Sequence, residues 1–337
     1  MMNNKVIHFG AGNIGRGLIA ELASINNLDI LFVDVSKDLI DKINKEKKYA
    51  INCLPSNKKI TIDNCKGLNL INQKDELIDL ISKADMVTTS IGVNNLINLC
   101  EIINSSLEKR TNQNKLVIAC FENGFKASEY LFEKIIEKNN ANLSKLDFVN
   151  VVVDRLVPDQ SNDSLDVNVE DFYSVWYKKN NNSTTWLFNL NTTSIDGKYE
   201  DFFNKKFYGV NGLHFSIAMI GYSKKMKYIN ETINDKECLS IINNLIEEMS
   251  VAISSLTNLD LKDIEQYLKN NVERFSNKYL LDDIDRVARN AKQKISDNER
   301  ILPMYKWLIE NKKQHDTFNE ILKIANKYIE EKGVKNE

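Results

Sequence analysis

Three residues able to do chemistry together fall within nine positions just past the middle of the chain. They are Lys206, Asn211 and His214, in the stretch Lys206-Phe-Tyr-Gly-Val-Asn-Gly-Leu-His214. A lysine amine can exchange a proton with a hydroxyl, while an amide and an imidazole can hold the oxygen that carries it. Histidine is scarce here, with only three in the chain. On an α-helix Asn211 and His214, three apart, share a face. Lys206 lies about 140° round from Asn211 at 3.6 residues per turn, so one straight helix does not converge all three. Either Lys206 uses its long side chain, or the helix breaks near Gly209 or Gly212. Taken alone, the cluster fits an ordinary interfacial helix with a surface lysine at least as well.

The start of the chain is more specific. Lys5-Val-Ile-His-Phe9 is a short apolar run that ends in Gly10-Ala11-Gly12-Asn13-Ile14-Gly15. An amphipathic segment from Leu18 to Ala23 follows, and Leu28–Val33 reads as a second strand stopping at Asp34, nineteen residues after Gly15. Strand, G-x-G-x-x-G turn, helix, strand and acid together describe a dinucleotide site. Gly10 permits the tight turn, Gly12 lets the backbone approach a pyrophosphate, and Gly15 lets helix and strand pack closely. The helix N-terminus offers its free N–H groups to the phosphates. Asp34 would accept from the adenosine ribose hydroxyls and repel a 2′-phosphate, which favours NAD(H) over NADP(H). Arg16 and Lys37 are nearby cations that could soften that preference. His8, inside the first strand, is expected to be a packed core residue.

Further strands are expected at Asp85–Ile91, Lys115–Cys120 and Val149–Arg155. In an open parallel sheet, ligands sit beyond the carboxyl ends of the strands. Thr89, Ser90, Asn94, Glu122, Asn123, Asp154 and Arg155 fall at such ends, where each alone also fits a capping or turn role. Leu165–Val169, Tyr173–Tyr177 and Trp186–Leu190 alternate apolar and polar residues, as antiparallel strands added to the sheet would. The polar run Lys178–Asn182 reads as a hairpin loop. From about Tyr199 helical spacing takes over, with helices expected near 199–207, 211–225, 236–255, 261–275, 297–311 and 316–331. The fold class is therefore α/β: a Rossmann-type NAD-binding domain with added antiparallel strands over 1–195, then a mostly α-helical substrate and catalytic domain over 196–337. Within the second, Arg274, Arg286, Arg289 and also Lys292 could form a basic wall for an anionic substrate, or pair with acids on a helix surface. His315 is expected at the surface.

Composition narrows the classes. The 337 residues are 42% hydrophobic and 27% charged, ordinary for a globular chain large enough for two domains. A net charge of -2 argues against nucleic acid as a partner. No stretch approaches a membrane span, and strand chemistry begins too early for a secretory signal. The five cysteines are scattered without C-x-x-C spacing, as in a reduced, cytoplasmic protein with no zinc-thiolate site.

Five motifs in order, VIHFGAGNIGRG, ADMVTTSIG, ACFEN, VDRLVP and K-x4-N-x2-H, resemble the polyol-specific long-chain dehydrogenase/reductase family, as does RFSNKYLLDDIDRVAR. The stretch 178–200 follows no pattern of that family, and the chain is somewhat shorter than usual. The resemblance implies metal-independent hydride transfer between NAD(H) and a polyol/ketose pair, with no metal ligands. D-mannitol 1-phosphate and D-fructose 6-phosphate are the expected pair; a free polyol or a hexuronate is the alternative within the family. It further implies Lys206 as general acid/base, Asn211 and His214 on the reacting oxygen, and Asn123 and Asp154 beside the nicotinamide. A regulator that binds NAD but has lost its chemistry is the reading from another class, and intact Lys206, Asn211 and His214 argue against it.

Overall fold

A computed structural model describes residues 5–158, 164–179, 188–279 and 281–333. The chain divides into two compact units, Met1–Tyr199 and Glu200–Glu337.

Unit 1 contains strands β1 (Lys5–Phe9), β2 (Asp29–Asp34), β3 (Tyr49–Leu54), β4 (Lys58–Ile62), β5 (Lys66–Asn69), β6 (Met86–Thr89), β7 (Leu116–Cys120), β8 (Leu146–Asp154), β9 (Val167–Glu170), β10 (Ser174–Lys179) and β11 (Thr193–Ser194). Eight form one sheet in the order β11-β10-β8-β7-β6-β1-β2-β5. From β5 to β8 all neighbours run parallel, and β10 is antiparallel to β8. The chain leaves β1 towards β2 on one side and returns at β6 on the other, which makes β1/β6 the switch point where a doubly wound sheet opens its crevice.

Helices on both faces explain why the central strands are buried almost throughout. Ile7, Val87 and Ile118 point to a core shared with Leu99, Ile103, Leu131 and Ile135. Their neighbours Val6, Met86 and Val117 point to the opposite core, with Leu18, Ile19 and Leu22. The alternation of faces along each strand follows from the two-residue repeat.

Three features of unit 1 differ from expectation. The Leu165–Val169 segment does not extend the main sheet. As β9 it runs parallel to β3 in a separate sheet of order β4-β3-β9, where Val167 and Val169 meet Ile40, Ile43 and Ile51. Its alternation reports one buried face, not which sheet supplies the neighbour. Lys178 and Lys179 belong to β10 rather than to a loop. Of the segment expected at Trp186–Leu190, Trp186 and Leu187 lie outside the described residues, and Phe188–Leu190 is not a strand; Phe188 instead packs edge-on against Phe121.

Unit 2 is helical. Its centre is Leu213–Ser223, buried along eight of eleven residues and therefore apolar almost all round. Lys236–Thr257, Leu261–Phe275 and Asp316–Gly333 are the long helices. The buried Glu248 carboxylate accepts from the Thr317 and Phe318 N–H groups at 2.9 and 3.1 Å, satisfying the start of the last helix. The helix expected from residue 297 begins instead at Leu302, because Pro303 occupies its first turn and sets the start. Ile229–Asn234, Ile284–Ala288 and Ala291–Lys294 are too short to show a period in the sequence.

One buried ion pair ties the dinucleotide half of unit 1 together. The Arg155 guanidinium, wholly buried after β8, donates to Glu21 Oε2 at 2.5 Å and to the Gly17 and Glu170 carbonyls at 2.7 and 3.1 Å. Arg155 was expected on the ligand rim, yet it points inward, because Glu21 and two carbonyls replace the water it gives up. Substituting Glu21→Ala leaves that guanidinium uncompensated. The expected loss is about 3–5 kcal/mol of stability in a urea titration, and a loss below about 1 kcal/mol would mean that water reaches the site.

Candidate active site

In unit 1 the glycine-rich turn follows β1. Gly10 has φ of +104°, a region open to glycine at little cost. A Cβ on Gly15 would stand 2.0 Å from the Gly10 carbonyl oxygen and 2.7 Å from His8 Nε2, so only glycine lets the helix start this close to the strand. A Cβ on Gly12 would meet no atom within 4 Å, and this is the open side from which a phosphate would approach. The Asp34 carboxylate accepts from Ala11 N at 2.8 Å and from Ser36 N at 2.9 Å, bracing the turn from the end of β2. Each oxygen keeps a second lone pair for a ribose hydroxyl. Asn13 reaches the Pro158 carbonyl at 3.3 Å, and Ile14 packs into the core beneath.

His8 lies directly under the turn, fully buried, with Nδ1 2.8 Å from Thr88 Oγ1 and Nε2 2.9 Å from Ser90 Oγ. Burial pushes its pKa down to about 3, so it is a neutral, hydrogen-bonded core residue. The two cations expected nearby are placed differently. Arg16 is buried and donates to the Ala11 and Leu165 carbonyls at 2.9 and 2.8 Å, while Lys37 pairs with Asp41 along an exposed helix.

The carboxyl ends of β6 and β7 are joined by Glu122. Its buried carboxylate accepts from Thr89 Oγ1 at 2.6 Å and from the Ile91 and Gly92 N–H groups at 2.9 Å each. Thr89 is thereby turned into this brace. Asn123, next in sequence, is exposed, as is Asn94, whereas Asp154 at the end of β8 is buried.

In unit 2, Lys206 ends the helix Tyr199–Lys206, and Phe207–Gly212 forms a π-helical turn before Leu213–Ser223. This wider turn changes the spacing. Bonding from i to i+5 places residues five apart nearly above one another, so Lys206 and Asn211 come to one side. Three residues on, His214 follows in the α-helix; all three are half-buried. Neighbouring Lys205 lies over the Tyr267 ring at 4.4 Å, and burial lowers its pKa.

The His214 ring stacks on Phe275, centroids 4.5 Å apart, with Nε2 3.0 Å from Asp282 Oδ2. Asp282 Oδ1 in turn accepts from Arg286 through Nε at 2.8 Å and through a second guanidinium nitrogen. Burial would raise the Asp282 pKa, but His214 and Arg286 outweigh it and hold the carboxyl below its ordinary value. Of the other expected cations, Arg274 donates to Asn271 Oδ1 at 2.6 Å, and Arg289 is exposed with Nε 3.3 Å from the Arg286 carbonyl. Lys292 is exposed.

Lys294, unremarked in the sequence, is the lysine that turns inward. It shares a helix face with buried Ala291, three residues before, which is the one signal that separates it from Lys292. Its amine donates to the Val287 carbonyl at 2.8 Å. Burial, followed by the charges of Arg300, Arg286 and Arg289, pushes its pKa down to about 8 against the opposing pull of Glu299. Arg300 pairs with Glu299 at 3.0 Å and lies over the Phe207 ring at 5.2 Å, and its carbonyl packs directly on Gly212. The basic cluster therefore adjoins the turn that carries Lys206 and Asn211. Among the described residues no group of three or more His, Cys, Asp or Glu could hold a metal ion, and no helix is long and apolar enough to cross a membrane.

Residues 4–191 match a family model for the mannitol dehydrogenase Rossmann domain, and residues 198–336 match one for the mannitol dehydrogenase C-terminal domain. A mannitol-1-phosphate 5-dehydrogenase of Mycoplasmopsis pulmonis is 40% identical across 96% of this chain and 86% of its own length. Another, from Clostridium acetobutylicum, is 35% identical over the same shares. The ternary complex of Pseudomonas fluorescens mannitol 2-dehydrogenase with NAD and D-mannitol shares the fold, with a TM-score of 0.77 at 16% identity over 97% of this chain and 79% of that one. With both family domains matched along nearly its full length and relatives above 30% identity throughout, the chain belongs to the mannitol dehydrogenase family and is an NAD-dependent polyol dehydrogenase.

Proposed function

We propose that this enzyme interconverts D-mannitol 1-phosphate and D-fructose 6-phosphate, with Lys206 as general acid/base and no metal in the mechanism. The observation that carries the chemical part is the π-turn, which brings Lys206 and Asn211 to one side of a helix three residues ahead of His214. The substrate part draws on the relatives that act as mannitol-1-phosphate 5-dehydrogenases and on the basic cluster beside that turn. Five buried free cysteines suit a reducing compartment, so we take the enzyme to act in the cytoplasm.

Bound NAD supplies the hydride acceptor for the carbinol carbon. Gly10, Ala11, Gly12, Asn13, Ile14 and Gly15 would cradle its pyrophosphate, Asp34 would hold the adenosine ribose, and Asn123 and Asp154 would flank the nicotinamide end, with Thr89 acting from behind through its bond to Glu122. As hydride leaves carbon, the neutral Lys206 amine takes the hydroxyl proton; in ketose reduction the ammonium returns it. Lysine can do this near neutrality only where burial or neighbouring cations favour the uncharged amine. Asn211 and His214 hold the reacting oxygen in place. Arg286 and Arg289, with Arg274 at the margin, receive the phosphate, and Lys294 joins them.

The Lys206→Ala variant is expected to lose about 10²–10⁴-fold in kcat while its NADH dissociation constant, read by fluorescence titration, stays put. Full activity would remove Lys206 from the mechanism. In EDTA-containing buffer the enzyme should oxidise NADH rapidly with fructose 6-phosphate and far more slowly with fructose, and Arg289→Ala should raise KM for the ester. Equal rates on the two sugars, or an unmoved KM, would defeat the phosphate assignment. Because the Lys294 pKa is pushed down to about 8, its amine is cationic below that pH and neutral above it. The ester stays dianionic over this range, so its KM should climb as the pH passes from 7 to 9, and a flat profile would take Lys294 out of phosphate recognition.

A further inference from the structure

We infer that Asp282 is a positioning residue for His214: it keeps the imidazole proton on Nε2 and leaves Nδ1 as the ring's acceptor for a substrate hydroxyl. This rests on the proposed catalytic role of His214 and divides the work between it and Asn211. Three observations carry it. Nε2 stands 3.0 Å from Asp282 Oδ2, close but not in line for an ideal hydrogen bond. A ring nitrogen with a lone pair at that distance would face the lone pairs of an ionised carboxylate, so the nitrogen there must be the protonated one. The ring cannot readily swing away, because it is stacked on Phe275 at 4.5 Å with an interplanar angle of 24°. Nor is the carboxylate free to move, since its other oxygen takes two N–H groups of Arg286, and the backbone from Asp282 onward is pinned. The Asp282 carbonyl accepts from Ile229 N at 3.0 Å, and Asp283 caps the next helix through Arg286 N at 3.2 Å.

In a neutral imidazole one nitrogen donates and the other accepts. With the single ring proton kept on Nε2 by the facing carboxylate, His214 cannot give a hydrogen bond to an oxyanion from Nδ1. It can only accept one from a hydroxyl of the polyol. Stabilising the developing alkoxide then falls to the Asn211 amide, and His214 fixes how the alcohol is turned. Arg286, by holding Asp282, contributes to this orientation as well as to any contact with the phosphate.

The test reads the ring directly, before any substrate is added. With ¹⁵N-labelled histidine and three histidines in the chain, long-range ¹⁵N–¹H correlation at pH 7.5 gives the tautomer of each, with His214 identified through His214→Gln. The expected result is the Nε2-protonated form for His214. In Asp282→Asn that form should be lost or mixed, since the new amide can donate to Nε2, and kcat should fall roughly 10–100-fold at unchanged NADH affinity. Asp282→Glu retains a carboxylate and should restore the tautomer and part of the turnover. A wild-type ring protonated on Nδ1, or on both nitrogens, overturns the inference. So does Asp282→Asn with wild-type tautomer and turnover. Should Asp282→Asn fail to fold, the wild-type spectrum and the Glu variant still decide. Failure of the catalytic reading itself would look different: an active Lys206→Ala enzyme with the His214 tautomer as inferred.

Discussion

An α-helix cannot present residues five apart on one side, and the chemistry proposed for unit 2 depends on relaxing that constraint at one turn. The π-helical segment Phe207–Gly212 does so between two α-helical segments. Such a turn is rare and is not favoured by local propensity, so packing has to hold it. The Arg300 carbonyl sits against Gly212, and the Tyr267 ring sits against Gly209. On the far side, Leu213–Ser223 is buried nearly all round and so has a fixed rotation. The added residue is thus absorbed at the Lys206 end rather than by turning the central helix, and His214 keeps its place on Phe275 and Asp282.

Carboxylates serve a common purpose elsewhere in the molecule. A parallel sheet leaves irregular backbone at the carboxyl ends of its strands, where N–H groups lack ladder partners and still need acceptors. Glu122 supplies one acceptor group for three donors after β6. Asp34 does the same for the glycine-rich turn, and Glu248 for the first turn of the last helix. A carboxylate suits this task, because it offers about four acceptor positions and its charged hydrogen bonds are roughly twice as strong as neutral ones. Within unit 1, Asp34 and Glu122 hold the loops that frame the dinucleotide cradle where the sheet pairing runs out.

Some of this was legible in the sequence, and the divide follows the range of the forces involved. The βαβ unit could be read because Gly10 and Gly15 answer local steric demands within a dozen residues. Strands β6 and β7 could be read because burial on both faces leaves short uncharged runs rich in apolar and β-branched residues. Strands β3, β4 and β5 could not, since Tyr49–Leu54 and Lys58–Ile62 are short, and two of the five residues of the latter are exposed lysines. Nor could the sheet that β9 joins, which depends on neighbours more than a hundred residues away. In the site, the identities of Lys206, Asn211 and His214 were plain, but their convergence depends on a π-turn made by tertiary packing. Charge was legible as sign and not as direction. Arg16 and Arg155 turn inward to carbonyls and Glu21, whereas Lys294 rather than Lys292 joins the basic cluster.

That cluster bears on how a phosphate ester could be told from a free sugar. Around Lys294 stand Arg286, Arg289 and Arg300, and the carboxylates among them, Asp282 and Glu299, already serve Arg286 and Arg300. Lys294 itself has a backbone carbonyl. Cations held this close out of water raise one another's free energy, and the one able to relieve it by losing a proton is lysine, since a guanidinium stays charged. The depressed Lys294 pKa reflects burial first and the charges of Arg300, Arg286 and Arg289 second. A phosphate monoester brings about two negative charges to such a place and would favour the protonated lysine. A neutral hydroxymethyl group would leave the repulsion as it was. On the proposed reading, discrimination would arise in part from the repulsion that persists without the phosphate and in part from the contacts made with it.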